Sequence, residues 1–181
     1  MLDRIFNLSC ALFAGIILLG CVEGNPIGNR NVPEPAKEVV LEKYLGLWYE
    51  QARYDSRFER GCEAVTAEYS PLPNNMIRVV NTCRKGVVNG EMKKIDGKAK
   101  IIEGSKNAKL KVSFFGPFYV GDYWVLDHAN DYSWSIVGEP SGKYLWLLTR
   151  EANISDKTRQ MLWNRAAELG YDVSLLRPVR H

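Results

Sequence analysis

Histidine is nearly absent from this sequence: of 181 residues only His128 and His181 are imidazoles, and the second ends the chain. No grouping of His, Cys and carboxylates has the spacing of a metal site, so neither a metal nor another cofactor is expected. A dominant charge is lacking as well. The 24 Lys and Arg stand against 21 Asp and Glu, for a net charge of +3. They are scattered rather than clustered, which leaves no footprint for nucleic acid. There is no G-x-S-x-G elbow and no phosphate-cradling glycine loop. Asp127-His128 is the one pair that suggests acid–base work. It falls at the end of a strand-like run, just before Ala129-Asn130-Asp131, where a solvated turn histidine is expected. No catalytic residue is assigned, and the chain reads as a non-enzyme.

A long apolar run is missing too. Residues 5–20 are almost uncharged and follow Arg4, but they fall short of the roughly 20 residues a spanning helix needs. That length suits the apolar part of an export signal, an uncleaved anchor helix being the alternative. The ending Leu18-Leu19-Gly20-Cys21 resembles a bacterial lipobox, which implies cleavage before Cys21 and a diacylglycerol on its thiol. By the same resemblance, Val22 rather than Asp after that cysteine implies the outer membrane, on its periplasmic face. Residues 1–20 are therefore read as a lipoprotein signal peptide, 21–36 as a flexible tether with lipidated Cys21, and 37–181 as the folded domain. Gly, Asn and Pro dominate residues 22–35 without an apolar period, which predicts little structure there. An arm packed on the domain is the alternative.

If Cys10 leaves with the signal and Cys21 carries lipid, Cys62 and Cys83 remain. An even pair in an exported domain reads as one disulfide, two buried free thiols being the alternative. Alternation puts Val65, Ala67 and Tyr69 on the inward face and Cys62 on the opposite parity. Pairing then calls for a bulge at Gly61 or Glu63.

What the sequence has in quantity is short alternating runs between turn residues. A helical lead-in at residues 39–45 precedes eight of them: 47–54, 65–69, 76–83, 91–103, 110–114, 118–126, 133–137 and 144–148. Their spacing suits hairpins throughout. The pattern then changes once. Ser155 reads as the N-cap of a helix in which Ile154, Met161, Leu162, Ala166 and Leu169 fall at helical spacings, and Gly170 stops it. A short strand at 171–175 ends this all-β order.

That order resembles a lipocalin, and three stretches carry the likeness. Gly46-Leu47-Trp48 looks like the Gly-x-Trp signature of the first strand. Tyr123-Trp124-Val125-Leu126-Asp127, reaching to Tyr132, looks like the second signature. Leu147-Leu148-Thr149-Arg150 looks like the third, whose Arg packs over the signature Trp. The stretch at 111–119, with Ile154-Ser155-Asp156 and Gly170-Tyr171-Asp172-Val173, is similar to the bacterial (Blc-like) branch, akin to apolipoprotein D and temperature-induced lipocalins. The likeness covers residues 39–178. It implies an eight-stranded antiparallel up-and-down barrel with one C-terminal helix and a short final strand. Gly46 would permit a tight approach at the base, Trp48 would plug the closed end, and Arg150 would stack on the indole.

The resemblance also implies a function. A fatty acid or lysophospholipid would sit in the cup, stored or carried for envelope maintenance under stress. The inward positions expected to meet it are Val65, Ala67, Tyr69, Ile77, Val79, Phe114, Tyr123 and Trp124. Two other classes stand beside this one. An envelope interaction protein would use exposed Phe115-Gly116-Pro117-Phe118 as a partner surface or homodimer contact. A lipocalin-type enzyme would need a free thiol or imidazole pointing into the cup.

Overall fold

The structure, a computed structural model, describes residues 26–181; the expected signal peptide and Cys21 lie outside them. A single helical turn, α1 (Leu41–Tyr44), leads into β1 (Gly46–Tyr54). Then follow β2 (Cys62–Leu72), β3 (Met76–Lys85), β4 (Met92–Ile101), β5 (Lys109–Ser113), β6 (Gly121–His128), β7 (Trp134–Gly138) and β8 (Leu145–Thr149). Each strand pairs antiparallel with the next, and β1 pairs with both β2 and β8, which closes the eight into a barrel. After α2 (Asp156–Glu168) and a 3-10 turn at Val173–Leu175, β9 (Leu176–Pro178) adds to the far end of β1 outside the barrel. Sequence places that last strand at 171–175. Instead the Asp172 carboxylate accepts from the Ser174 N–H at 3.0 Å and turns the chain, so pairing begins only at Leu176.

Alternation along the strands builds two apolar layers. On β8, Leu148 faces the interior with Trp48, Val79 and Val125, while Leu147 faces outward with Ile136 and the Leu162 and Ala166 of α2. Because α2 covers this part of the wall, both faces of β8 are buried. That is why Leu145-Trp146-Leu147-Leu148 reads as an unbroken apolar run. The helix starts where expected: the Ser155 hydroxyl accepts from the Thr158 N–H at 3.1 Å.

The expectation of a loose tether is corrected from residue 26 onward. Gly28 and Asn29 both donate N–H bonds to the Gly142 carbonyl, at 2.9 and 3.2 Å. Asn29 Nδ2 donates to the Leu169 carbonyl at 3.0 Å, and the Asp172 N–H donates to the Gly28 carbonyl at 2.9 Å. Gly28 lies so close to Tyr54 that a Cβ would overlap its ring. Further on, Lys37 Nζ reaches Asp127 at 2.7 Å and the Val39 N–H donates to the Lys106 carbonyl at 3.0 Å. The arm thus runs down the outside of the barrel, from the β7–β8 loop at one end to the β4–β5 loop at the other. It also buries His128, correcting the solvated-histidine expectation. That ring bonds the carbonyls of Glu38 and Ala129 and stacks on Tyr132 with centroids 4.5 Å apart.

Candidate functional site

One end of the barrel is plugged. Trp48 has no exposed surface, and its Nε1 donates to the Tyr44 carbonyl at 2.8 Å. From outside, the Arg150 guanidinium lies 3.7 Å from the centre of the indole. It donates to the carbonyls of Lys43 and Leu47, each at 2.7 Å, and to those of Leu45 and Tyr44 at 3.0 and 3.1 Å. Most of these carbonyls come at the end of a one-turn helix, where no intrahelical partner exists. Arg150 is therefore part of the base and stays outside the interior. Gly46 sits here at φ +93°, and a Cβ on it would stand 3.6 Å from Arg150, an ordinary contact. What glycine supplies is the left-handed backbone rather than room, which revises the expected reason.

Above this floor the barrel encloses a cavity of about 790 Å³. Of the residues expected to face inward, Val65, Ala67, Tyr69, Ile77, Val79, Phe114 and Tyr123 line it. Trp124 does not. Neighbours on a strand point to opposite faces, so with Tyr123 inside, Trp124 packs outside against the layer shared with α2, under Lys109 Nζ at 3.9 Å. The sequence reading missed Tyr44, Leu110, Val112, Val125, Trp146 and Leu148, which also line the cavity. Strict alternation reaches Leu110 and Val112 from Phe114, and Leu148 from Trp146. Tyr44 carries no such signal, because it enters from α1.

Cys62 and Cys83 form a disulfide at the mouth end of the cavity, with Cα atoms 5.4 Å apart. The register between β2 and β3 shifts between Glu63 and Thr66, and Ala64 adopts φ +47°. The parity problem is thus solved by a bulge, centred just beyond the expected positions. Among the described residues, no free thiol and no imidazole lines the cavity.

Two bonded clusters stand out among the polar side chains of the lining. Near the floor, the Tyr123 hydroxyl lies 2.9 Å from those of both Tyr44 and Tyr69, and Tyr44 is 3.0 Å from Ser135 Oγ. Burial pushes Tyr44 up to about 12 and raises Tyr69 and Tyr123 as well, so all three remain uncharged at neutral pH. On the wall, fully buried Arg53 donates to Glu50 at 2.6 Å and to the carbonyls of Glu59 and Cys62 at 2.9 and 3.1 Å. Trp146 Nε1 donates to Glu59 at 3.2 Å. Burial, then the neighbouring Glu59, pushes the Glu50 carboxyl well above its usual range, against the pull of Arg53. The Arg53 guanidinium is thereby engaged by the Glu50 carboxyl and by two backbone carbonyls. The deep cavity therefore offers hydrogen bonds and apolar surface but no spare cation. Lys93 and Lys94 stand higher, towards the mouth.

Residues 39–181 match the family model described as a lipocalin-like domain. The outer membrane lipoprotein Blc of Vibrio cholerae is 41% identical over 178 residues, covering 95% of each chain. Temperature-induced lipocalin-1 of Arabidopsis thaliana is 37% identical over 154 residues, covering 79% of this chain and 80% of its own. Among solved structures, insecticyanin from the tobacco hornworm Manduca sexta has the same fold, with a TM-score of 0.64 at 21% identity over 82% of this chain and 84% of its own.

Proposed function

Since the chain belongs to the lipocalin-like family and to the branch of the outer membrane lipoproteins, we propose that it binds a single-chain lipid, a fatty acid or lysophospholipid, in its cup. In this reading a diacylglyceryl Cys21 holds it on the periplasmic side of the membrane, where it stores or carries such lipids during envelope maintenance under stress. The observation that carries the proposal is the cavity: plugged at one end, about 790 Å³ in volume, and lined by aliphatic and aromatic side chains. Sites for small ligands run from about 300 to 1,000 Å³. Each methylene buried is worth roughly 0.8 kcal/mol, so a dozen carbons supply about 10 kcal/mol before ordering takes back several. The head group stays at the mouth, because the buried Arg53 guanidinium is already engaged by Glu50 and two backbone carbonyls, whereas Lys93, Lys94 and water can meet a carboxylate or phosphate there. A narrow eight-stranded interior favours one acyl chain over two.

Lipid extracted from the purified mature protein and identified by mass spectrometry tests the ligand class. Titrating the delipidated protein with single-chain lipids of increasing length should then show affinity rising about fourfold per methylene until the cup is full. A response that is flat with length, or no binding, would falsify the lipid cup. The same spectra should show a diacylglyceryl Cys21 at the mature N-terminus; an unmodified cysteine there removes the anchor from the proposal and leaves the cup.

A further inference from the structure

The hydroxyls near the floor of the cup form a run with a direction. Tyr69, Tyr123, Tyr44 and buried Ser135 each carry one hydrogen and follow one another at 2.9, 2.9 and 3.0 Å. At the cavity end, Tyr69 donates to Tyr123. At the far end, Ser135 Oγ donates to the Asp127 carbonyl at 3.5 Å, and a carbonyl can only accept. With both ends set, Tyr123 donates to Tyr44 and Tyr44 donates to Ser135. Every hydrogen in the run is then used. The Tyr69 oxygen keeps open lone pairs and, among the described residues, no group donates to it. Burial keeps the three tyrosines protonated, so this count holds at neutral pH.

A second group on the same wall has the same need. Asn81 also lines the cavity, and its Oδ1 is buried without a partner. On β3 it stands one inward position above Val79, the residue that pairs with Tyr69. Asn81 and Tyr69 are therefore diagonal neighbours across the ladder, with Cβ atoms about 7 Å apart. A buried acceptor left bare costs free energy, which a hydrogen supplied by a ligand recovers. Two bare acceptors on one stretch of wall make a subsite for a hydrogen-bond donor. From Val79 up to Cys83 at the mouth, β3 rises about 13 Å. A ligand whose head group stays at the mouth thus meets Tyr69 with the far part of its chain. We propose that the floor selects a hydroxyl there, so that the preferred ligand is a single-chain lipid hydroxylated well away from its head group. A ketone at the same carbon brings no hydrogen, and an unsubstituted chain leaves both acceptors bare. This inference rests on the reading of the cavity as a lipid cup and names the ligand class within it.

The test titrates the delipidated protein with hexadecanoic acid, with its monohydroxy derivatives, the hydroxyl moved stepwise from head group to chain end, and with the matching ketones. In a cup without such a subsite, a hydroxyl buried without a partner weakens binding roughly tenfold or more. Expected instead is a position in the far half of the chain where the hydroxy acid binds at least as tightly as hexadecanoic acid. There it should also bind about tenfold more tightly than the ketone. Tyr123→Phe reads the direction of the run. It removes the group to which Tyr69 donates, so the freed Tyr69 hydrogen turns into the cavity. The ratio of hydroxyl to ketone affinity at that position should then fall to about one or invert, a reversal that loosened packing alone does not produce. A ratio unchanged in this variant overturns the subsite. So do hydroxy acids weaker than hexadecanoic acid at every position, or ketones that equal them in the parent protein, a comparison that needs no substitution. Those results leave the cup standing, whereas no binding by any chain, hexadecanoic acid included, rejects the cup and the subsite with it.

Discussion

Trp48 and Asp127 show how much of the fold hangs on single side chains. The indole is wholly buried, spans the floor of the cavity and offers its outer face to Arg150. Trp48→Ala should lower the unfolding free energy in denaturant melts by about 3–5 kcal/mol, the range for removing a large buried aromatic. A loss below about 1 kcal/mol would mean that other groups close the base. Asp127 joins three parts of the molecule. It accepts from Lys37 of the arm at 2.7 Å, from Arg165 of α2 at 2.6 Å and from its own neighbour, the His128 N–H, at 2.8 Å. Burial alone would raise its carboxyl, but the bonds from Lys37, Arg165 and His128 outweigh that and hold it below the usual range. A carboxyl whose folded value is depressed contributes fully above its unfolded value, about 3.9, and loses that contribution as pH falls through the folded one. Asp127→Asn should therefore cost roughly 1.5–3 kcal/mol at neutral pH. It should also flatten the acid limb when melts are repeated from neutral to acid pH; an acid limb as steep as the parent's would place the sensitivity elsewhere.

Among the elements, β1 has the most neighbours. Its first residues pair with β2, its middle with β8 and its end with β9. A bulge between Glu50 and Ala52 makes this possible and turns Gln51 outward, where its Nε2 donates to Thr149 Oγ1 at 2.9 Å and to the Glu151 carbonyl at 3.0 Å. The same bulge brings Glu50 and Arg53, three residues apart, onto the inward face together. The β2–β3 pair is irregular at the mouth, where its register breaks between Glu63 and Thr66, and there the Cys62–Cys83 bond holds the two strands. Closing a loop of this size is worth about 3 kcal/mol. Replacing both cysteines with Ala should lower the denaturant midpoint accordingly and speed hydrogen exchange at the mouth end of β2 and β3 first. Unchanged protection there would show that the ladder holds without the bond.

At the scale of the whole molecule, the strand order and the place of α2 were legible because both rest on periodicity and turn residues. The two-sided burial of β8 was not, since an unbroken apolar run hides which residues face inward. Trp124 was misplaced for a related reason: aromatic character says that a residue is buried, and only parity against Tyr123 says on which side. The Glu50–Arg53–Glu59 cluster was invisible because a bulge brings it together. The packed arm stood only as the alternative to a loose tether because backbone bonds at Gly28, Asn29 and Gly142 hold it, and composition does not record those. That arm has a mechanical consequence. It lies along the wall, so tension applied at its N-terminal end meets the bonds to Gly142, Asp172 and Leu169 first, and Lys37–Asp127 and Val39–Lys106 only afterwards. Load is shed in series, one fastening at a time from the rim downward. The strands, which bear it only after α1 is reached, keep their shape while the strap peels.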